Sequence, residues 1–330
     1  MNGAPHDWSH LVRMVFLPAV RVIQNNKFLW EAMPGAVAQS REWDDIYKHL
    51  TAFGLDRMIA GDYSAYDKRM DATFIMWAFY ILITLAKLCG ADESTITVMW
   101  GIAYDISCCY CNYNGDLVQF LGSNPSGHPL TVIINCIVNS LYMRYSYHEL
   151  NPEKEVASFR DNVHLVTYGD DNEAGSAVDW FNHTAISDLL ASVGVVYTMA
   201  DKEAESVPFL HITKTSFLKR GWRYEPELDA VVCPIDHSII DKMMTTWIPS
   251  GEIGPYAHAE NVISNVGVEY FWYGREIFEE KQLLLKEIFR ETIPEDYETP
   301  RTFPTWESLI LRWKYSSGDL VPPCEGDEAE

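Results

Sequence analysis

Apolar residues recur at helical spacing over residues 7–24 and 39–52, and each stretch predicts a helix. Residues 57–62 read as a short strand running into a polar turn, and a long helix follows. Inside that helix, residues 74–86 are apolar except for Thr84 and are closed by Lys87. A bilayer span needs roughly 20 residues, so this run reads as a buried helix. Asn124-Pro125-Ser126-Gly127 is loop-forming, and residues 130–147 then place apolar side chains all round a helix, the pattern of deep burial. Val163, Leu165 and Thr167 alternate with His164, Val166 and Tyr168 before Gly169-Asp170-Asp171-Asn172, which predicts two strands joined at a tight polar tip. Residues 177–193 predict an amphipathic helix ended by Gly194, residues 195–199 a strand, and residues 215–232 a second hairpin. From Asp236 the pattern is helical, over 236–247, 255–272 and 274–291, broken at Pro249, Gly251, Gly254 and Gly274. Hairpins mixed with helices, followed by helices alone, predict an α+β fold, and no internal repeat suggests a solenoid.

Composition narrows the class. The chain has 330 residues, 48% hydrophobic and 22% charged, which excludes a disordered, collagenous or disulfide-stapled protein. That length suits one large domain or a few subdomains sharing a cleft. Twenty-five Lys and Arg against 47 Asp and Glu give a net charge of −22, which argues against a protein that coats a duplex through a basic surface. The seven cysteines are an odd number, and Cys108, Cys109 and Cys111 crowd one segment without the paired spacing or nearby histidine that zinc prefers. They read as reduced, partly buried thiols. Arg13, Pro18 and Arg21 interrupt the N-terminal apolar residues, so neither a signal peptide nor a transmembrane segment is expected.

The candidate chemistry lies in carboxylates at strand ends. Gly61-Asp62-Tyr63-Ser64-Ala65-Tyr66-Asp67 delivers one carboxylate where a strand stops and another after a short turn, and Asp170-Asp171 lies at the hairpin tip. Mg²⁺ takes oxygen ligands, commonly one or two carboxylates plus substrate phosphates. Two such ions about 3.5–4 Å apart serve phosphoryl transfer, and Asp62 with Asp170 could hold both. An isolated Asp-Asp pair at a turn is ordinary turn chemistry. Here it has company: Gly122-Ser123-Asn124-Pro125-Ser126-Gly127-His128-Pro129-Leu130-Thr131 lies between the two sites, with Asn135 on the same helix face as Thr131. The residues alone reach metal-assisted phosphoryl transfer on a mixed scaffold.

The series from Asp62-Tyr63-Ser64-Ala65-Tyr66-Asp67, through Pro125-Ser126-Gly127-His128-Pro129-Leu130-Thr131 to Asn135, then Tyr168-Gly169-Asp170-Asp171, Ala200-Asp201-Lys202 and Phe217-Leu218-Lys219-Arg220, resembles motifs A to E of viral RNA-dependent RNA polymerases. The likeness is to picorna-like positive-strand viruses, including marine ones, and covers residues 7 to 315. It implies a right-hand polymerase, with an antiparallel palm sheet and packed helices followed by a helical thumb. It also implies that residues 1–50 are residual fingers leading into the palm, 51–214 the palm with motifs A to D (catalytic core about 56–185), 215–320 the motif E hairpin and thumb, and 321–330 an acidic tail. By the same resemblance Asp62 and Asp170 hold two Mg²⁺ or Mn²⁺ ions, Asp171 has a lesser metal role, and the Tyr63 carbonyl touches the nucleotide-side ion. Asp67, Ser126, Gly127, Thr131 and Asn135 bind the nucleotide and its ribose 2′-hydroxyl, Lys202 protonates the leaving pyrophosphate, and Lys219 and Arg220 bear on the primer.

Reverse transcriptases place a bulky side chain where Asp67 stands, so the resemblance favours RNA as product. It implies an RNA template and primer, ribonucleoside triphosphates and other viral replication proteins as partners. The location it implies is the host cytoplasm, in membrane-associated complexes reached through those partners. Trp247, Tyr256, Trp272 and Tyr273 read as core aromatics of the thumb. The pattern departs from the family before Asp62: no basic motif F is present, and the chain reads as N-terminally truncated with most of the fingers missing. The alternative is a non-catalytic truncated palm and thumb module that binds RNA or replication partners.

Overall fold

The computed structural model describes residues 4–200, 204–247, 249, 251–294, 297 and 303–316. Two compact units emerge: residues up to 36 with 49–215, and residues 37–48 with those from 216 onward. The second unit therefore takes in residues 37–48 from what reads in sequence as one N-terminal segment. The acidic tail lies outside the described residues.

In the first unit, α1 (His6–Asn25) and α2 (Lys27–Trp30) come first, and the last residues of α3 (Glu42–Leu50) join them. β1 (Met58–Tyr63), the short α4 (Tyr66–Arg69), α5 (Ala72–Leu88) and α6 (Glu93–Ser107) follow. Asp71 and Asp92 cap the last two helices, accepting hydrogen bonds from the Thr73 and Thr95 amides, which would otherwise go unpaired. Next come β2 (Tyr110–Tyr113), β3 (Asp116–Gln119), α7 (Thr131–Leu150), α8 (Phe159–Asn162), β4 (Val163–Tyr168), β5 (Asp171–Ser176), α9 (His183–Ser192) and β6 (Tyr197–Met199). The main sheet has the order β4-β5-β1-β6, antiparallel throughout. α7 and α9 pack on it, and α5 packs on α7. α7 is buried around most of its circumference, through Ile133, Ile134, Cys136, Ile137, Val138 and Tyr142, as its uniformly apolar sequence predicts.

One local expectation is corrected, and a second element goes unread in the sequence. The helix expected over 177–193 begins only at His183, because the Asn182 side chain accepts from the Ala185 amide and fixes the first turn there. Val178 and Trp180, which extend the apolar pattern upstream, pack against the core from a non-helical segment. The unread element is the hairpin β2–β3, which closes on Asn114 and Gly115, both left-handed at φ 55° and 102°. Asn-Gly is the strongest short hairpin signal, but the cysteines beside it draw attention to metal chemistry instead. Cys109 Sγ and Cys111 Sγ lie 3.9 Å apart, and all three cysteines of the segment are free.

The second unit pairs β7 (Arg223–Glu225) with β8 (Ala230–Val232) and adds α10 (His237–Thr245), α11 (Pro255–Phe271), α12 (Arg275–Thr292) and α13 (Trp306–Ser316). Trp43 stacks on Trp222 with ring centroids 4.6 Å apart, which attaches residues 37–48 to this unit. Ile240, Ile263, Val266, Leu285 and Phe289 form its core. Trp272 is buried as expected, whereas Trp247 and Tyr256 are exposed, 54% and 42%, and are not core residues.

Candidate active site

The end of the main sheet gathers carboxylates from distant parts of the chain. In the β1–β5 ladder Ala60 faces Glu173 and Gly61 faces Asn172, and there the ladder stops. The next residues in that register are Asp62 and Asp171. On the other flank of β1, Asp62 faces Thr198 of β6, whose hydroxyl donates to the Asp62 carbonyl at 3.3 Å. Gly61 is required: a Cβ there would lie 2.2 Å from the Tyr197 ring, which crosses β1 to donate its hydroxyl to Asn172 Oδ1 at 2.7 Å. Asp170 occupies the two-residue tip between Tyr168 and Asp171, and Gly169 supplies the positive φ of 70° that so tight a turn needs.

α7 holds this tip from behind. The Asn139 side-chain amide donates to the carbonyls of Gly169 at 3.1 Å and Asp170 at 3.3 Å, and its oxygen accepts from the Tyr63 hydroxyl at 3.1 Å. The Gly169 amide donates to Cys136 Sγ at 3.1 Å. Asn139 thus ties the two carboxylate-bearing segments together, a residue the sequence reading missed. Its signal was there in the four-residue spacing from Asn135, which places both amides on one face. Partial desolvation raises the Asp170 pKa above the ordinary carboxylate range, and the charges of Asp62 and Asp67 push it further the same way.

Asp67 is held at both oxygens. Asn135 Nδ2 donates to its Oδ1 at 2.6 Å, and the Ser126 hydroxyl donates to its Oδ2 at 2.7 Å. Asn124 Nδ2 donates to Asn135 Oδ1 at 2.7 Å, and His128 Nε2 lies 2.8 Å from Asn124 Oδ1. Thr131 does not reach Asp67. Its hydroxyl donates instead toward the carbonyls of Pro125 and His128, at 3.1 and 2.9 Å, and fixes the loop to the start of α7. The loop lies against the Asp67 segment because Gly122, at φ 84°, lets its backbone approach; a Cβ would stand 2.5 Å from the Met70 carbonyl oxygen.

A cavity of about 540 Å³ brings Gly127, Thr131, Asn135, Tyr168 and Asp170 together with Ser9 and Arg13 of α1. Among the described residues Arg13 is the only lysine or arginine lining it, and sequence reading saw it merely as an interruption of an apolar run. Lys202 lies outside the described residues. Lys219 and Arg220 separate in character within the second unit. Leu218 and Lys219 form a two-residue turn with φ 55° and 60°, closed by paired Phe217 and Arg220 hydrogen bonds, and Lys219 is exposed. Arg220 instead forks onto Glu269, with both contacts at 2.8 Å, and donates to the Cys233 carbonyl. Its guanidinium is engaged internally, which corrects the expectation that both cations face primer.

Among the described residues no three His, Cys, Asp or Glu side chains converge as a ready metal cage. The Asp62, Asp170 and Asp171 carboxylates at the sheet end are oxygen donors, which suits a hard ion completed by substrate phosphates and water.

A family model described as viral RNA-dependent RNA polymerase matches residues 1–287. The replicase polyprotein of Cricket paralysis virus is 28% identical over 257 residues, which is 74% of this chain and 14% of that polyprotein. The RNA1 polyprotein of Cherry rasp leaf virus is 32% identical over 297 residues, 82% of this chain and 13% of that one. The chain thus spans about a seventh of these relatives. Among solved structures, the Sicinivirus 3Dpol RNA-dependent RNA polymerase superposes with a TM-score of 0.71 over 92% of this chain and 60% of its own length, at 16% identity.

Proposed function

We propose, from the premise that this chain belongs to the viral RNA-dependent RNA polymerase family, that it adds ribonucleotides to an RNA 3′ end under template direction, as part of viral genome replication and transcription. The observation that carries this reading is the sheet end, where Asp62, Asp170 and Asp171 lie beside a cavity that also holds the Asn135 face. In this reading residues 51–214 are the palm, and residues from 215 onward carry motif E and the thumb.

The reaction joins the primer 3′-oxygen to the α-phosphorus of a ribonucleoside triphosphate and breaks its bond to pyrophosphate. Asp62 and Asp170 would each hold a divalent ion, Mg²⁺ or Mn²⁺, with Asp171 and the Tyr63 carbonyl completing the oxygen set. When bound, such ions activate the attacking hydroxyl and offset charge on the transferring phosphoryl group. The protein's part is placement. Asn139 fixes the Asp170 tip against Tyr63, Asp67 and Asn135 meet the ribose with Ser126, Gly127 and Thr131 shaping the loop, and Arg13 offers a positive charge to phosphate. Lys202 is the proton donor to pyrophosphate in this reading, and Lys219 contacts the primer.

Template and primer RNA and ribonucleoside triphosphates are the substrates, and other viral replication proteins are the partners. Such partners would bring the chain to membranes of the host cytoplasm; among the described residues no helix is long and apolar enough to cross one. Nucleotide addition to a primed RNA, assayed with Mg²⁺, Mn²⁺ or EDTA, tests the reading. Addition that depends on the ion and is lost in Asp62→Asn supports it, and addition in EDTA contradicts it.

A further inference from the structure

We propose, resting on the ribose-selecting role given above to Asp67 and Asn135, that His128 and Asn124 are positioning residues that lock the Asn135 amide in the one orientation able to recognise a ribose 2′-hydroxyl.

The argument is one of direction along a chain of hydrogen bonds. The Leu130 backbone N–H donates to His128 Nδ1 at 3.2 Å. A backbone N–H cannot accept, so Nδ1 is the unprotonated nitrogen and the neutral ring carries its proton on Nε2. That proton points at Asn124 Oδ1, 2.8 Å away. Asn124 must then present its nitrogen to Asn135 Oδ1, at 2.7 Å, while also donating to the Thr131 carbonyl at 3.3 Å. Asn135 in turn presents its nitrogen to Asp67 Oδ1 at 2.6 Å. A carboxylate only accepts, so the far end of the chain demands the orientation that the near end imposes. Amide orientation is ordinarily an open choice; here both ends fix it. His128 and Asn124 are 7% and 1% exposed, so water does not readily substitute for either. Burial holds the His128 pKa down at about 4, which keeps the ring neutral near neutral pH.

A flipped Asn135 would set Oδ1 against the Asp67 carboxylate, acceptor against acceptor. With the relay intact that state is closed, and the cavity offers a fixed donor and a fixed acceptor to the sugar. A site built this way penalises a substrate that lacks the hydroxyl, because its buried polar groups go unmatched. Without the relay only Asp67 holds the amide, which turns more readily, and the penalty on deoxyribose shrinks.

The test uses two readouts and a conservative rescue. His128→Leu removes the donor to Asn124, whereas the terminal amide of His128→Gln can restore it. In the nucleotide-free chain the Asn135 side-chain amide protons, followed by NMR, should exchange about tenfold faster in His128→Leu and near the parental rate in His128→Gln. Equilibrium binding of ATP and 2′-deoxy-ATP with Ca²⁺, which needs no turnover, should show the ribose preference falling about tenfold in His128→Leu and largely kept in His128→Gln. Unchanged Asn135 exchange in His128→Leu overturns the relay. Faster exchange with undiminished ribose preference leaves the orientation standing and overturns its role in selection. A parental chain with no ribose preference overturns the ribose-site reading, while the exchange measurement still judges the relay on its own.

Discussion

Glu173 follows Asp171 by two residues and is fully buried, with Oε2 lacking any hydrogen-bond partner and Oε1 bonded to the Thr215 hydroxyl. Burial pushes its pKa up to about 8, and the Asp171 charge adds to the rise. Its folded value exceeds the unfolded one, so its contribution to stability is full below about pH 4.5 and is lost as pH rises through about 8. Glu173→Gln should therefore match the parental melting temperature near pH 5 and exceed it near pH 9; equal melting at both would show that Glu173 does not titrate in this window. His49 and His128 act on the acid side. Burial lowers both to about 4, so the stability they contribute is present above about pH 6.5 and is lost as pH falls toward 4. Asn139 bears directly on the site. Asn139→Leu keeps the branched shape but leaves the Tyr63 hydroxyl and the Gly169 carbonyl without this partner, while the Asp170 carbonyl keeps the Asn172 amide at 3.3 Å, at a cost of about 1–3 kcal/mol. Nucleotide addition should fall further than that loss of stability, measured by denaturant unfolding, accounts for.

At the scale of elements, α7 shows what a sequence can disclose. Its apolar circumference predicts a buried helix, and the four-residue spacing of Thr131 and Asn135 predicts a shared face, which here lines one cavity. Spacing alone puts Asn139 on the Asn135 face, but the partners of Cys136 and Asn139 lie in β1, β4 and the Gly169 turn, which periodicity cannot bring together, and the contact of Asn124 with Asn135 depends on how the loop folds back on α7. The start of α9 was misplaced because Val178 and Trp180 continue its apolar pattern, although the Asn182 cap decides the boundary. The close pairing of β1 with β6 makes its own prediction. Gly61→Ala forces a methyl into the Tyr197 ring and should cost about 1–3 kcal/mol or more, read as a lowered melting temperature. At the tight turn of Leu218 and Lys219 the two neighbouring cations, Lys219 and Arg220, should behave differently. Arg220→Ala strands the buried Glu269 carboxylate and should destabilise by about 3–5 kcal/mol. Lys219→Ala should leave stability within about 0.5 kcal/mol and reduce the salt dependence of RNA binding by about one phosphate contact. Equal stability of the two variants would contradict the assignment of Arg220 to an internal ion pair.

For the whole molecule, a net charge of −22 bears on how RNA could be held. Among the described residues the site cavity is lined by one arginine, Arg13, and divalent ions, if held there as proposed, would add positive charge for the phosphates. The division into units was only partly legible. The change from hairpins to helices alone falls at Asp236, past the division between Thr215 and Ser216, and nothing local to residues 37–48 shows that Trp43 stacks on Trp222. The carboxylates themselves were legible because their spacing within motifs is local, whereas the alignment of Asp62 with Asp171 is a matter of sheet register. Nucleotide addition requires the carboxylates gathered at the sheet end, Asp170 among them, and Asp170→Asn tests that requirement most directly. On a primed RNA with Mg²⁺, the parental chain should extend the primer, and the variant, folded and melting at a similar temperature, should lose at least about 10³-fold in rate. Extension by the variant at the parental rate, with the same dependence on metal, would contradict the account.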